Sequence, residues 1–113
     1  DLDRAVSNLL DNAARYTPAG GTVTLSISAA ESGLTIAVED TGPGFSSEAL
    51  TRGEQAFYTS DTSRPKEGHM GMGLFFAGQT AKRHGGSLHL VNTEHGARAE
   101  LVLQIRWNLL VVP

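Results

Sequence analysis

Apolar residues at Leu2, Val6, Leu9, Leu10 and Ala13 recur at helical spacing and predict an amphipathic helix from Asp1 to about Arg15. The run Thr17-Pro18-Ala19-Gly20-Gly21 then ends it. On the helix's other side Asn8, Asn12 and Tyr16 stand four residues apart, so their polar groups stack along one stripe. After the break the period drops to two. Val23, Leu25 and Ile27 alternate with Thr22, Thr24, Ser26 and Ser28, and Leu34, Ile36 and Val38 alternate with Thr35, Ala37 and Glu39. With Glu31-Ser32-Gly33 between them, the two runs predict a β-hairpin.

The second half repeats the order without repeating the sequence. Asp40-Thr41-Gly42-Pro43-Gly44 follows the hairpin, and Ser46-Ser47-Glu48 reads as the capped start of a short helix to about Gln55. Thr59 to Gly68 is mostly polar, with Arg64, Pro65 and Lys66 near its middle, and predicts a mobile loop. Gly73 to Arg83 predicts a second long helix whose Leu74, Ala77, Gly78 and Ala81 permit close packing on a sheet, and His84-Gly85-Gly86 ends it. Ser87–Thr93 and Ala97–Arg106 alternate as two further strands around a turn at His95-Gly96. Trp107 to Pro113 is an apolar tail that fits none of these elements.

Composition narrows the class. At 113 residues the chain suits one domain, which buries roughly two-thirds of its unfolded surface. Hydrophobic residues at 40% and charged residues at 19% exclude a disordered polyelectrolyte. The absence of cysteine excludes a disulfide framework, a thiolate zinc site and a cysteine nucleophile, and fits a reducing compartment. A formal net charge of −3 supplies no broad positive field, which argues against nonspecific nucleic-acid binding. At Asp1 there is no basic, apolar leader, as expected equally of a domain cut from a longer chain.

Three segments carry candidate chemistry. Asp40, beside backbone freed by Gly42 and Gly44, can accept a hydrogen bond from an exocyclic amine, although an isolated Asp-x-Gly-x-Gly is more often an acidic turn. In Asn8 to Tyr16, amide oxygens on one helix face can ligate a hard cation, with Arg15 and Tyr16 beside them, or can simply be solvated. Gly68-His69-Met70-Gly71-Met72-Gly73-Leu74 reads as a glycine-rich loop entering a helix, where free N–H groups suit a phosphate, or as glycines that let helices pack. No Gly-Lys-Ser/Thr follows, so it is not a Walker loop.

Taken in order, these segments resemble the catalytic and ATP-binding domain of bacterial sensor histidine kinases, within the gyrase, chaperone, kinase and mismatch-repair ATPase superfamily. Asn8 to Tyr16 looks like the N box, Asp40 to Gly44 the G1 box, Phe57-Tyr58 with Asp61 to Arg64 the F box, and Gly68 to Leu74 the G2 box. The resemblance runs to about Ile105 and implies a catalytic domain over 1–106, with 107–113 a tail outside it. It also implies a Bergerat-type (GHKL) α+β two-layer sandwich, in which a mixed sheet is covered on one face by helices and carries a mobile ATP lid.

By the same resemblance Asp40 meets the adenine amino group, Asn12 binds Mg2+, and Asn8 and Arg15 lie at the phosphates. Tyr16 flanks the nucleotide, Gly42 and Gly44 border the base, and Phe57 anchors a lid running to Met70. Gly71 and Gly73 let that lid fold over the phosphates, Leu74 is a further nucleotide-binding position, and Arg64 and Lys66 are phosphate contacts. His69 and Met70 depart from the usual G2 pattern, Thr59 replaces a common arginine, and Ala97-Arg98-Ala99 stands where a threonine is often found near the base.

Superfamily members that hydrolyse ATP with water resemble one another in carrying a glutamate four residues before the magnesium asparagine. This chain has Asn8 there, and an amide cannot accept a proton at neutral pH, so transfer to another nucleophile is favoured. The resemblance implies that this nucleophile is a histidine on a dimerisation domain of the parent chain. None of His69, His84, His89 and His95 substitutes for it, and they show no metal-ligand spacing. The implied setting is a cytoplasmic domain, monomeric by itself, of a homodimeric parent that is anchored in the bacterial inner or cell membrane and signals to a response regulator. Two alternatives stand beside it: an anti-sigma-type serine kinase or degenerate ATP-binding module on the same fold, and, more remotely, a retroviral-type aspartic protease using Asp40-Thr41-Gly42.

Overall fold

The computed structural model of the chain describes residues 2–31, 33–52 and 65–104; for residue 52 and residues 65–72 it describes the backbone alone. Its elements are α1 (Leu2–Tyr16), β1 (Val23–Ala30), β2 (Gly33–Asp40), α2 (Ser47–Arg52), α3 (Pro65–Arg83), β3 (Ser87–Asn92) and β4 (Ala97–Gln104). The strands lie in the order β1-β2-β4-β3.

Every pairing among the described strands is antiparallel, where a mixed sheet was expected. The connectivity explains the difference. The crossover through α2 and α3 returns β3 parallel to β2, but β4 turns back into the gap between them, so no two parallel strands touch. The register sets Ile36 against Leu101, Val38 against Ala99 and Asp40 against Ala97 on one face. Leu88 faces Leu101 on the same side.

That face is the core. Ala5, Leu9 and Ala13 from α1 and Leu74, Ala77 and Ala81 from α3 close over Ile36, Val38, Leu88, Ala99, Leu101 and Leu103, all buried. Small residues on both helices let them lie close to each other and to the sheet. The layer stops short of the edge: Leu25 and Ile27 on β1 stay 44% and 62% exposed despite their alternation. On the opposite face Arg98 reaches Glu100 at 2.6 Å and also pairs with Glu39, and these two carboxylates hold its guanidinium pKa above the ordinary arginine value. Helices on one face and half-buried ion pairs on the other give the expected two layers.

Helix boundaries follow local chemistry. The Ala49 N–H donates to Ser46 Oγ at 3.1 Å, which caps the start of α2 as the sequence predicted. At the end of α3, Gly86 N–H bonds to Ala81 O and Gly85 N–H to Lys82 O, with Gly85 at φ 74°, a Schellman cap. The start of α3 differs from expectation. It begins at Pro65 rather than Gly73, so the residues expected to end a loop, and the glycine-rich run Gly68 to Gly73, are helical. Proline suits a first helical turn, where its missing N–H has no helix partner, and the glycines that masked the helix in the sequence lower its propensity without forbidding it.

Candidate functional site

Alternation along β2 turns Asp40 toward the helical layer, in line with Ile36 and Val38, and leaves it 8% exposed. Its Oδ1 accepts the Gly42 N–H at 2.8 Å. The turn beyond is tied down twice. Thr22 N–H donates to Thr41 Oγ1 at 2.9 Å and Thr41 N–H to Thr22 O at 3.2 Å. Farther along, Asn92 Oδ1 accepts the Phe45 N–H at 2.7 Å while its Nδ2 donates to Phe45 O at 3.0 Å. Gly44, at φ 87°, sits so close that an added Cβ would lie 2.9 Å from Asn92 Oδ1. Only glycine meets both conditions without strain.

Two cavities open along α1. One of about 120 Å³ is lined by Asn12, Tyr16, Asp40, Pro43, Gly44, Phe45, Ser46 and Ala97, and offers a carboxylate within a mainly apolar slot. The other, about 350 Å³, lies between α1 and α3 and is lined by Arg4, Asn8, Asp11, Asn12, Gly73, Phe75 and Phe76. Asn12 belongs to both walls, and among the described residues its Oδ1 is buried without a hydrogen-bond partner. A buried amide oxygen left unpaired costs free energy, and a hard cation is a ligand that would satisfy it. One amide oxygen without a partner thus fits a hard divalent cation as a single ligand. Among the described residues no cluster of three or more acidic or histidine side chains offers a metal cage of its own.

A family model described as histidine kinase-, DNA gyrase B-, and HSP90-like ATPase matches residues 1–106. The chain belongs to this ATPase family. Within it, the sensor histidine kinase SpaK of Bacillus subtilis is 43% identical over 104 residues, which are 92% of this chain and 22% of that protein. Among solved structures, the mycobacterial sensor histidine kinase MprB superposes with a TM-score of 0.73 at 29% identity, over 89% of this chain and 70% of the other. The ATP-binding domain of PrrB from Mycobacterium tuberculosis gives a TM-score of 0.66 at 30% identity, over 88% and 63%. The chain spans about a fifth of the length of the curated relatives it matches. This ATPase-family domain is therefore of the kind carried by sensor histidine kinases. The aspartic-protease alternative falls with that membership and with the helices that cover Asp40's face of the sheet.

Six of the residues singled out in the sequence line the cavities of this ATPase domain: Asn8, Asn12, Tyr16, Asp40, Gly44 and Gly73. Gly42 stands behind Asp40, where an added Cβ would lie 3.2 Å from Asp40 Oδ1 and would also strike the Tyr16 carbonyl oxygen. Two expectations need correcting. Arg15 is exposed and lines neither cavity: it stands one turn after Asp11 on the same stripe of α1, but α1 lines the larger cavity only from Arg4 to Asn12. Leu74 is 1% exposed and belongs to the core rather than to the site. Gly71 lies within α3. Phe57 and Arg64, with the lid from 57 to 64, fall outside the described residues, as does the tail from Trp107.

Sequence reading missed Arg4, Asp11, Phe45, Phe75, Phe76 and Asn92. Arg4 carried a visible signal, since it precedes Asn8 by the same four residues that separate Asn8 from Asn12. Asn92 carried none, because it meets Phe45 across 47 positions of sequence.

Proposed function

We propose that this domain binds Mg-ATP and transfers its γ-phosphate to a histidine on a separate dimerisation domain of its parent protein, as part of two-component signal transduction. The observation that carries the reading is the orphaned Oδ1 of Asn12, buried at the seam between a slot headed by Asp40 and a larger cavity walled by Asn8. In this reading the base enters the smaller slot. Asp40 keeps one oxygen on the Gly42 N–H and offers the other to the exocyclic amine of adenine. Tyr16 and Phe45 close the sides, and Ala97 leaves that wall apolar where relatives often place a threonine. The phosphates extend along α1 past Asn12 toward Asn8.

Asn12 would hold the magnesium, whose charge offsets that of the phosphates when it is bound. Asn8 can donate or accept a hydrogen bond but cannot take a proton from water, which leaves transfer to an incoming imidazole. As the nitrogen–phosphorus bond forms, the bond from phosphorus to the β,γ-bridging oxygen breaks and ADP leaves. His84, His89 and His95 lie at a helix end, on the open face of β3 and in a turn, and none of them lines either cavity, which supports an acceptor outside this segment. The parent is then a homodimer that signals to a response regulator from a cytoplasmic domain.

The test is radiolabelled ATP incubated with this chain alone, with the parent's dimerisation domain added, and with a histidine-free version of that domain. Acid-labile label on the added domain alone supports the proposal. Brisk hydrolysis by the chain alone, or acid-stable label of the kind serine gives, would overturn it.

A further inference from the structure

The phosphate end of the site needs positive charge, and the cation expected there, Arg15, lines neither cavity. Among the described residues lining either cavity Arg4 is the only cation. It stands one turn before Asn8 and two before Asn12, so Tyr16, Asn12, Asn8 and Arg4 follow one another along α1, with Arg4 about 12 Å beyond Asn12 by helical rise. Its guanidinium rests over the Phe76 ring, 4.8 Å from the centroid. Phe76 is half-buried against the core, so the ring is an anchored platform.

We infer that Arg4 is the γ-phosphate contact of this domain and that Phe76 positions it, an assignment that rests on the Mg-ATP reading above. Stacking on an aromatic face engages the flat side of the guanidinium and leaves its N–H edges to donate, the arrangement suited to a phosphate. Among the described residues those N–H groups have no acceptor and no carboxylate partner. Asp11 adds a negative charge to the same wall, one turn beyond Asn8. Without Arg4 the described wall of that cavity would therefore be net negative toward a terminal phosphate. Because ADP lacks the group that Arg4 meets, the contact separates triphosphate from diphosphate.

Calorimetry with Mg-ATP and with Mg-ADP tests this on the wild-type chain and on Arg4→Gln, Arg4→Lys and Phe76→Leu, with thermal melts to show that each variant folds. Loss of one charge-assisted phosphate contact predicts about a tenfold fall in ATP affinity for Arg4→Gln, with ADP affinity changed less than about twofold. Arg4→Lys retains the charge without the fork and falls in between, and Phe76→Leu weakens ATP alone. Equal losses for both nucleotides would reduce Arg4 to a strut between α1 and α3 and overturn the inference, as would no loss for either, which would leave the γ-phosphate to cations such as Arg64 or Lys66. A wild-type chain that binds neither nucleotide would instead overturn the Mg-ATP reading itself. Should Arg4→Gln fail to fold, the ATP-to-ADP affinity ratio of Arg4→Lys decides the question by the same criterion.

Discussion

Asn92, the last residue of β3, holds Phe45 by both ends of its side-chain amide, accepting the Phe45 N–H at 2.7 Å and donating to its carbonyl at 3.0 Å. This clamp joins the turn after β2 to the far edge of the sheet and sets one wall of the smaller cavity. Asn92→Ala removes both bonds and should lower stability by about 1–2 kcal/mol and adenine-nucleotide affinity several-fold. Denaturant unfolding and calorimetry check the two effects, and an unchanged affinity would show that the turn holds its shape without the clamp.

Asp40→Asn keeps an oxygen able to accept the Gly42 N–H but exchanges the second acceptor for a donor. The fold should survive with little change in melting temperature, while affinity for ATP and ADP drops by about tenfold or more. Equal affinities for the two proteins would remove Asp40 from adenine recognition.

Asn12→Ala deletes the orphaned oxygen. Nucleotide affinity measured with magnesium should fall well below the wild-type value, while affinity measured in chelator should change little. Equal losses under both conditions would make Asn12 a structural member of the helix face.

Asn8→Glu places a potential base in the wall of the larger cavity. Steady-state phosphate release from the chain alone should rise from a very low level, and transfer to a supplied dimerisation domain should fall. If neither rate moves, the identity of this residue does not govern the choice between water and imidazole.

At Gly96 an added Cβ would run into the Asp40 carbonyl oxygen, beneath the carboxylate that heads the smaller cavity. Gly96→Ala should cost roughly 2 kcal/mol of stability and weaken nucleotide binding as well, because the end of β2 must shift. A variant with wild-type melting temperature and affinity would show that the β3–β4 turn can give way without moving Asp40.

Much of this domain was legible in its sequence because the signals are local. Periods of 3.6 and 2 placed α1, both hairpins and the body of α3; a serine placed the start of α2, and two glycines the end of α3. The spacing of Asn8, Asn12 and Tyr16 placed them on one stripe, since a helix brings every fourth residue into line whatever packs against it. Tertiary structure decided what such rules cannot reach. Strand order left every described pair antiparallel, because β4 inserts where a parallel contact would have formed. The helical layer reaches β1 only at its start, where Val23 packs against the core, so Leu25 and Ile27 alternate as core residues do and remain exposed. Arg15 and Arg4 are both cations on α1, and sequence favoured the one beside Tyr16. Only the placement of α3, which brings Phe76 to the Arg4 guanidinium and leaves Arg15 outside both cavities, separated them, because proximity across 72 positions of chain is a property of packing rather than of period.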